Sequence, residues 1–185
     1  MKTIYTFNSK VLKNSVSAKW LAKKEAPGPT IPSVTIGEQV WSTIYLTPEL
    51  SGIETSYKQT IHGETIYYYS YDQLQNVIIP SGWRLPTFED CSALANYLST
   101  NSQTASALIS VSDGGTDLYG LNLYITGYYS NSTQSQTGRP YFAVVLYSGS
   151  VKAIGLKSFN ESTIVVNNAT TSFAGAPIRL IKNVA

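Results

Sequence analysis

A tight turn followed at once by a capped helix is the feature that most restricts the fold. Residues 79–90 read IPSGWRLPTFED, and Pro-Ser-Gly is a combination typical of turns. Thr87 and Asp90 have the spacing of a capping box, which predicts a helix that begins after Thr87. One face of this helix is expected to cover a core. That face consists of Cys91, Leu94, Ala95 and Leu98.

The large side chains of this turn have two interpretations. Trp83 and Leu85 are expected in the core below the helix, because a large aromatic residue beside a capped helix usually belongs to the core. Arg84 stands at the entrance to the helix, where it could instead bind a carboxylate or a sugar. The architectural interpretation is favoured, and Arg84 is kept as a candidate ligand-binding residue.

Strand patterns dominate the chain from Val34 onwards. VTIGEQVW predicts a hairpin that turns at Gly37-Glu38. The segment YFAVVLYSGSVKAIGLKS predicts two strands joined at Ser148-Gly149-Ser150, and GETIYYYSY and APIRLIKNV predict further strands. The expected fold class is therefore α+β.

Only one other segment has a helical pattern. Tyr71, Leu74 and Ile78 in YDQLQNVI have the spacing of a short amphipathic helix. Residues 99–117 and 130–139 are rich in Ser, Thr, Gln, Asn and Gly, and they are predicted to be long surface loops.

The N-terminal part of the chain is predicted to be separate from the main domain. Residues 1–25 contain short β-like runs that cannot form a core alone, and residues 26–33, APGPTIPS, read as a stiff linker to a domain over residues 34–185. We expect the first 25 residues to be a β-hairpin arm that attaches to a partner or to sister copies; a tail without structure is the alternative. The candidate attachment residues are Tyr5, Phe7, Val11, Leu12, Trp20 and Leu21.

Composition narrows the class of protein. Charged residues make up 13% of the chain, against roughly 25% in typical soluble domains, and there are 14 tyrosines. Tyr with Ser and Asn is typical of adhesive contact surfaces. A net charge of +2 gives no indication of nucleic-acid binding, and no segment has the pattern of a signal peptide or a membrane span.

The sequence gives little support for catalytic or metal-binding chemistry. His62 is the sole histidine and Cys91 the sole cysteine, so a disulfide within the chain is excluded and His62 is expected at the surface of a turn. Asp113 and Asp117 in SDGGTD could hold a hard cation, although a plain turn is favoured. We expect no enzyme activity, no metal and no cofactor.

Tyrosines provide the remaining signal for binding. Tyr67, Tyr68, Tyr69 and Tyr71 cannot all face one core, because side chains alternate along a strand. Exposed tyrosines could contact a glycan or a protein, or they could be buried between subunits of an oligomer. The candidate ligand-binding tyrosines are Tyr124, Tyr128 and Tyr129.

Three motifs together resemble the Fibrobacter succinogenes major paralogous domain. They are IGEQVW, the run YYYSYDQLQNVIIPSGWRLPTFEDCSALANYL and the closing APIRLIK, and a Gly-Tyr segment at Gly127-Tyr128 lies between the last two. The resemblance covers about residues 34–183 and implies a C-type-lectin-like fold. Ile79 and Leu180 stand where the family often has cysteines, so apolar packing is expected in place of that disulfide. The motifs of calcium-dependent lectins and the cysteine pairs of sulfatase-modifying enzymes are missing from the sequence.

The beginning of the chain also resembles proteins encoded by phages and prophages of gut Bacteroidetes. We therefore expect a non-enzymatic virion protein: a head fibre, a decoration protein or a tail-associated component. Its arm would bind capsid or tail proteins, its loops a host-surface glycan, and the protein would be a homo-oligomer. A glycan-binding module on a bacterial cell surface is the alternative.

Overall fold

The computed structural model describes residues 29–55, 57–130, 133–135, 141–145, 151–158, 161–166 and 173–182. The chain divides into two compact units, Met1–Thr30 and Ile31–Ala185. The predicted attachment residues, from Tyr5 to Leu21, lie outside the described residues, so their role stays a prediction.

Short strands and three α-helices make up the regular structure of the described residues. In chain order they are β1 (Ser33–Ile36), β2 (Gln39–Ser42), α1 (Pro48–Ser51), β3 (Lys58–Ile61), β4 (Glu64–Tyr67), α2 (Tyr71–Leu74), β5 (Trp83–Arg84), α3 (Phe88–Thr100), β6 (Tyr128–Ser130), β7 (Thr133–Ser135), β8 (Tyr141–Val145), β9 (Val151–Ser158), β10 (Glu161–Val166), β11 (Phe173–Gly175) and β12 (Ile181–Lys182). Two 3-10 helices, Ala105–Ala107 and Val111–Asp113, lie between α3 and β6. This mixture confirms the predicted α+β class.

A four-stranded sheet brings together the three motif segments. Its strand order is β1-β2-β12-β5, with antiparallel pairing throughout. The predicted hairpin forms β1 and β2, and Gly37 turns between them with a φ of +60°, which glycine adopts without steric cost. Of the strand predicted over APIRLIKNV, the described residues form β12 only at Ile181 and Lys182, and residues 183–184 lie outside the described part. The opening hairpin, the Trp83 turn and the closing segment thus meet in one sheet.

The predicted capped helix is confirmed as α3. Thr87 Oγ1 accepts from the Asp90 backbone N–H at 3.2 Å, while the Asp90 carboxylate accepts from the Thr87 N–H at 2.6 Å. Cys91, Leu94 and Leu98 are buried along its inner face, and Ala95 is half-buried.

The second helical prediction is correct only over its first turn. Ser70 and Gln73 form a capping box for α2, but the helix ends at Leu74 and Ile78 lies beyond it with 65% of its surface exposed. The first helix in chain order, α1, was not predicted. It is a single turn with Pro48 in its first position and Gly52 as its left-handed C-cap, and so short an element leaves little periodic signal.

Three smaller sheets accompany the four-stranded one. They are β3-β4, β11-β6-β7 and β10-β9-β8. The predicted pair of strands around residue 149 is confirmed as β8 and β9, with Tyr141 opposite Gly155 and Val145 opposite Val151. The residues that join these two strands lie outside the described residues.

The two predicted surface loops need correction. Helix α3 continues to Thr100, and between residues 104 and 110 the chain turns inward. This segment is part of the core, because its apolar side chains are buried. They are Ala105, Ala107, Leu108 and Ile109. Within residues 130–139, Thr133–Ser135 form strand β7; residues 131–132 and 136–140 lie outside the described part.

Three clusters of buried side chains form the described core. The first lies beneath α3 and contains Trp41, Leu94, Leu98, Leu108 and Ile181, among others. The second surrounds Trp83 and Tyr69, and it also holds the two positions where the family often has cysteine: Leu180 is buried there and Ile79 packs against it. The third contains Tyr45, Ile66, Tyr68 and Tyr124.

Tyr68 and Tyr69 are both buried although they are neighbours. They point into different clusters, Tyr68 into the third and Tyr69 into the second, as the alternation along an extended chain requires. Tyr68 donates to the Thr126 carbonyl at 2.8 Å, and the Tyr69 hydroxyl lies 3.1 Å from Ser51 Oγ. Burial raises the pKa of both phenols, that of Tyr69 to about 12. Tyr67 and Tyr71 are half-buried.

Candidate functional site

Arg84 is engaged in the framework of helix α3. Its Nη2 lies 2.9 Å from Asp90 Oδ1, and its Nη1 also donates to the Asp90 carboxylate. This bidentate ion pair fixes the orientation of the guanidinium. Burial opposes the ionisation of Asp90, but hydrogen bonds from Arg84 and Thr87 outweigh it, so the pKa of Asp90 lies below its ordinary value. The bond to Asp90 raises the pKa of Arg84 in turn. The neighbouring Trp83 is buried, as predicted.

The candidate tyrosines occupy different environments. Tyr124 is buried, with 5% of its surface exposed, and its predicted role in binding a ligand stays a prediction. Tyr128 and Tyr129 are half-buried neighbours on β6: Tyr128 packs against the second cluster and Tyr129 against the third. The Tyr129 ring lies 5.0 Å from that of Tyr57 and 4.9 Å from that of Tyr68. Their predicted role in binding a ligand stays a prediction.

A polar cluster forms where the turn of the β3-β4 hairpin meets the segment between α3 and β6. His62 Nε2 lies 2.8 Å from Asp113 Oδ1, although 51 residues separate them. Tyr124 donates to Glu64 Oε1 at 2.9 Å, and Asn122 Nδ2 donates to the Tyr124 hydroxyl at 3.0 Å. We call these residues, His62, Glu64, Asp113, Asn122 and Tyr124, the hairpin–loop junction.

Strained backbone is concentrated at this junction. Four described residues other than glycine have a positive φ, and three of them belong to the junction or touch it: His62 at +48°, Asp117 at +41° and Asn122 at +55°. Asp and Asn tolerate this conformation better than most residues because they can hydrogen-bond locally. Asp117 Oδ1 accepts from the Asn122 N–H at 2.7 Å. Strain of this kind persists only where the surrounding structure holds it in place.

A buried arginine supports the junction from inside. Arg179 has 1% of its surface exposed. Its Nη1 donates to the Ser42 carbonyl at 3.1 Å and its Nη2 to the Asn122 carbonyl at 2.8 Å. Its guanidinium carbon lies 3.8 Å from the centre of the Tyr45 ring, a cation–π contact in a desolvated site. Arg179 was not predicted, because its only signal in the sequence is one charge within the apolar run APIRLI.

Tyr45 links this arginine to the outer part of the junction. Its hydroxyl accepts from the Tyr124 backbone N–H at 3.1 Å. Burial, followed by the bond to Glu64, raises the pKa of Tyr124, so its phenol remains a neutral donor at ordinary pH. Glu64 and Asn122 also belong to the residues that sequence reasoning missed, because nothing in their local sequence marks them.

The junction is a set of polar groups joined by hydrogen bonds. His62 is exposed, as predicted, and its described hydrogen bond goes to a carboxylate. The only thiol, Cys91, is buried in α3, where burial raises its pKa. Asp113 uses its second oxygen to accept from the Ile125 N–H at 2.7 Å.

Two further findings concern the described part of the chain. Within it, no group of three or more His, Cys, Asp or Glu side chains is arranged to hold a metal ion. In the same residues no helix has the length and apolar character needed to cross a bilayer.

Comparison with known proteins found no relative of this chain. The chain matches no family model, no curated protein and no solved structure at a significant level.

Proposed function

We propose that this chain is a non-enzymatic structural or adhesive protein. Its C-type-lectin-like domain, residues 34–185, is displayed on a bacteriophage particle by the N-terminal arm, residues 1–25. On the particle it is a head fibre, a decoration protein or a tail-associated component. The resemblance of the three sequence motifs supports the type of domain, and the low fraction of charged residues supports an exposed, adhesive surface.

The observation that carries the proposal is the ordered segment between α3 and β6. Residues 101–127 contain no strand and no α-helix, yet buried side chains and backbone hydrogen bonds fix them to the core. For example, the Ser110 N–H donates to the Leu123 carbonyl and the Leu123 N–H to the Leu108 carbonyl, both at 2.9 Å. Ordered loops of more than about 12–15 residues are usually functional, and binding residues are commonly held on loops that a rigid scaffold positions.

The chemistry of the hairpin–loop junction supports binding rather than turnover. Its groups are already hydrogen-bonded to one another: His62 to Asp113 and Tyr124 to Glu64. The buried Arg179 also donates to the Asn122 carbonyl. Such a network presents a fixed pattern of donors and acceptors. A reaction whose rate depends on His62, Arg84 or Asp113 would contradict the non-enzymatic proposal.

Removal of the arm tests the display function. A variant without residues 1–30 is produced in the host of the phage, and its copy number per particle is measured by quantitative mass spectrometry. We expect a folded domain, shown by circular dichroism, that is no longer incorporated. Incorporation at the normal copy number would reject the role of the arm. Capsid and tail genes next to the gene of this chain would independently support a virion location.

A glycan-binding module on a bacterial cell surface is the second candidate. The half-buried Tyr128 and Tyr129 on β6 favour it, because part of the surface of each residue is exposed. A glycan array should then show saturable binding that Tyr128→Ala and Tyr129→Ala weaken. Tyr97→Ala, which removes a half-buried tyrosine of α3, is the matched control. A blank array with folded protein would count against this candidate.

A further inference from the structure

Two partly exposed tyrosine rings from distant parts of the chain are in contact. The centre of the Tyr57 ring lies 5.0 Å from that of Tyr129, and the ring planes are inclined at 41°. This separation is within the range of contacting aromatic pairs. Tyr57 stands one residue before β3 and Tyr129 lies in β6, and both residues are half-buried. We call them the Tyr57–Tyr129 pair.

A buried tyrosine packs against one member of this pair. The Tyr68 ring lies edge-on to that of Tyr129, with an interplanar angle of 81° and centres 4.9 Å apart. Tyr68 is fully buried, and its hydroxyl donates to the Thr126 carbonyl at 2.8 Å and to Gln59 Oε1 at 3.2 Å. Tyr129 therefore contacts one ring that is fixed in the core and one, that of Tyr57, that is partly exposed.

The Tyr57–Tyr129 pair is the closest described contact between tyrosines that are both partly exposed. Two other described pairs of tyrosines each contain a buried ring. Tyr97 and Tyr119 are both half-buried, but their ring centres are farther apart, at 5.9 Å. A reagent in solution that joins neighbouring phenols therefore has the Tyr57–Tyr129 pair as its closest target in the described part of the chain.

Side chains that could compete with these tyrosines for an oxidant are shielded. Cys91 is fully buried, and burial raises its pKa, so little of the reactive thiolate forms. The described tryptophans, Trp41 and Trp83, are buried as well. Within the residues that the structure describes, an oxidant in solution therefore meets a tyrosine before it meets a thiol or an indole.

We propose that the Tyr57–Tyr129 pair is a site of oxidative cross-linking, at which a peroxidase that uses hydrogen peroxide joins the two rings as dityrosine. Each phenol loses one electron and its hydroxyl proton, and the two phenoxyl radicals form a bond between ring carbons ortho to the oxygens. The hydrogen atoms on these carbons then move to the oxygens, which restores both phenols. Hydrogen peroxide takes up the two electrons and two protons and becomes two molecules of water. The chain is the substrate of this reaction and supplies no catalysis.

The cross-link ties the β3-β4 hairpin covalently to β6. A two-stranded hairpin such as this one is marginally stable by itself. A covalent bond between distant segments restricts the unfolded chain, as a disulfide does, and the midpoint of thermal unfolding should rise by about 5 °C or more. The inference goes beyond the proposed function and does not depend on it, because it requires only the chain and an oxidant.

Peroxidase treatment of the dilute full-length protein tests the proposal. The wild type should gain the blue fluorescence of dityrosine and remain a monomer on denaturing gels. Proteolysis and mass spectrometry should find the peptides of Tyr57 and Tyr129 joined, with two hydrogen atoms lost. Tyr57→Phe and Tyr129→Phe each keep an aromatic ring but cannot form a phenoxyl radical. Each should abolish the joined peptides, most of the fluorescence and the rise in the unfolding midpoint.

Two controls separate this site from general oxidation. Tyr97→Phe removes a phenol from the other half-buried pair, and it should leave the joined peptides and most of the fluorescence unchanged. Oxidation of the wild type in urea should lose the preference for the bond between Tyr57 and Tyr129, because only the folded chain brings these rings together. Circular dichroism before oxidation checks that each variant is folded.

Three results would overturn the proposal. The first is a folded wild type that forms no dityrosine. The second is dityrosine that joins other tyrosines or separate molecules and leaves Tyr57 and Tyr129 unlinked. The third is a bond between Tyr57 and Tyr129 that forms equally well in urea.

Discussion

Arg179 lies with its guanidinium carbon 3.8 Å from the centre of the Tyr45 ring, fully enclosed by the chain. The same guanidinium donates to the carbonyls of Ser42 and Asn122, while its Nε has no described partner. Since Ser42 ends β2 and Asn122 belongs to the loop before β6, one side chain of the closing segment ties together two regions that are far apart in sequence.

Loss of this arginine should destabilise the whole domain. Arg179→Met fills a similar volume but leaves two carbonyls without their donor, and we expect it to cost about 2–4 kcal/mol of unfolding free energy. Urea unfolding followed by circular dichroism measures this. Lys182→Ala, at an exposed position three residues later, removes an ammonium 5.4 Å from the centre of the Trp83 ring and should cost no more than about 1 kcal/mol. Equal effects of the two changes would contradict the central role of Arg179.

The ion pair between Arg84 and Asp90 should make the free energy of unfolding fall at acid pH. The pKa of Asp90 is lowered in the folded protein, so its contribution is complete above the unfolded-state value of about 3.9. It is lost as the pH falls from there through the lowered folded-state pKa. Asp90→Asn should remove this part of the pH dependence and cost about 1 kcal/mol at neutral pH through the weakened cap.

Urea unfolding of wild type and Asp90→Asn between neutral and acid pH checks this expectation. Glu89→Gln is the control, because it removes an exposed carboxylate from the same helical turn. If Asp90→Asn and wild type lose stability in parallel on acidification, the bond to Arg84 does not contribute as described.

The loop before β6 should depend on the absence of a side chain at Gly115. A Cβ there would lie 2.1 Å from the backbone oxygen of Ile109, and a backbone atom in the core cannot move aside. Gly115→Ala is expected to cost about 3 kcal/mol. Gly114→Ala is the matched control, because φ is +84° but no atom lies within 4 Å of the added Cβ; it should cost only about 1–2 kcal/mol. Thermal unfolding of both variants distinguishes the two costs.

Cys91 should be unreactive in the folded protein. Its side chain is buried in α3 and its pKa is raised, and the thiolate is the reactive form of cysteine. Ellman's reagent at mildly alkaline pH should therefore give no signal with native protein and one thiol per chain in urea. Rapid labelling without denaturant would show that α3 separates readily from the core beneath it.

Local sequence determined the elements whose signals lie within a few residues of one another. The capping box of α3 is contained in Thr87 to Asp90, the hairpin turn in Gly37 and Glu38, and the burial of Trp83 follows from its place before a capped helix. In each case the backbone itself holds the interacting groups close together. These elements, and the α+β class that they build, could therefore be predicted.

Only the tertiary structure decided how the hairpin–loop junction is assembled. His62 and Asp113 are 51 residues apart, and Arg179 reaches across 137 residues to Ser42. The same contacts explain the burial of Tyr124, because Tyr45, Glu64 and Asn122 enclose it from three separate segments. A sequence pattern records the neighbours of a residue along the chain, whereas these partners meet only when the hairpin, the loop and the closing segment pack on a common core.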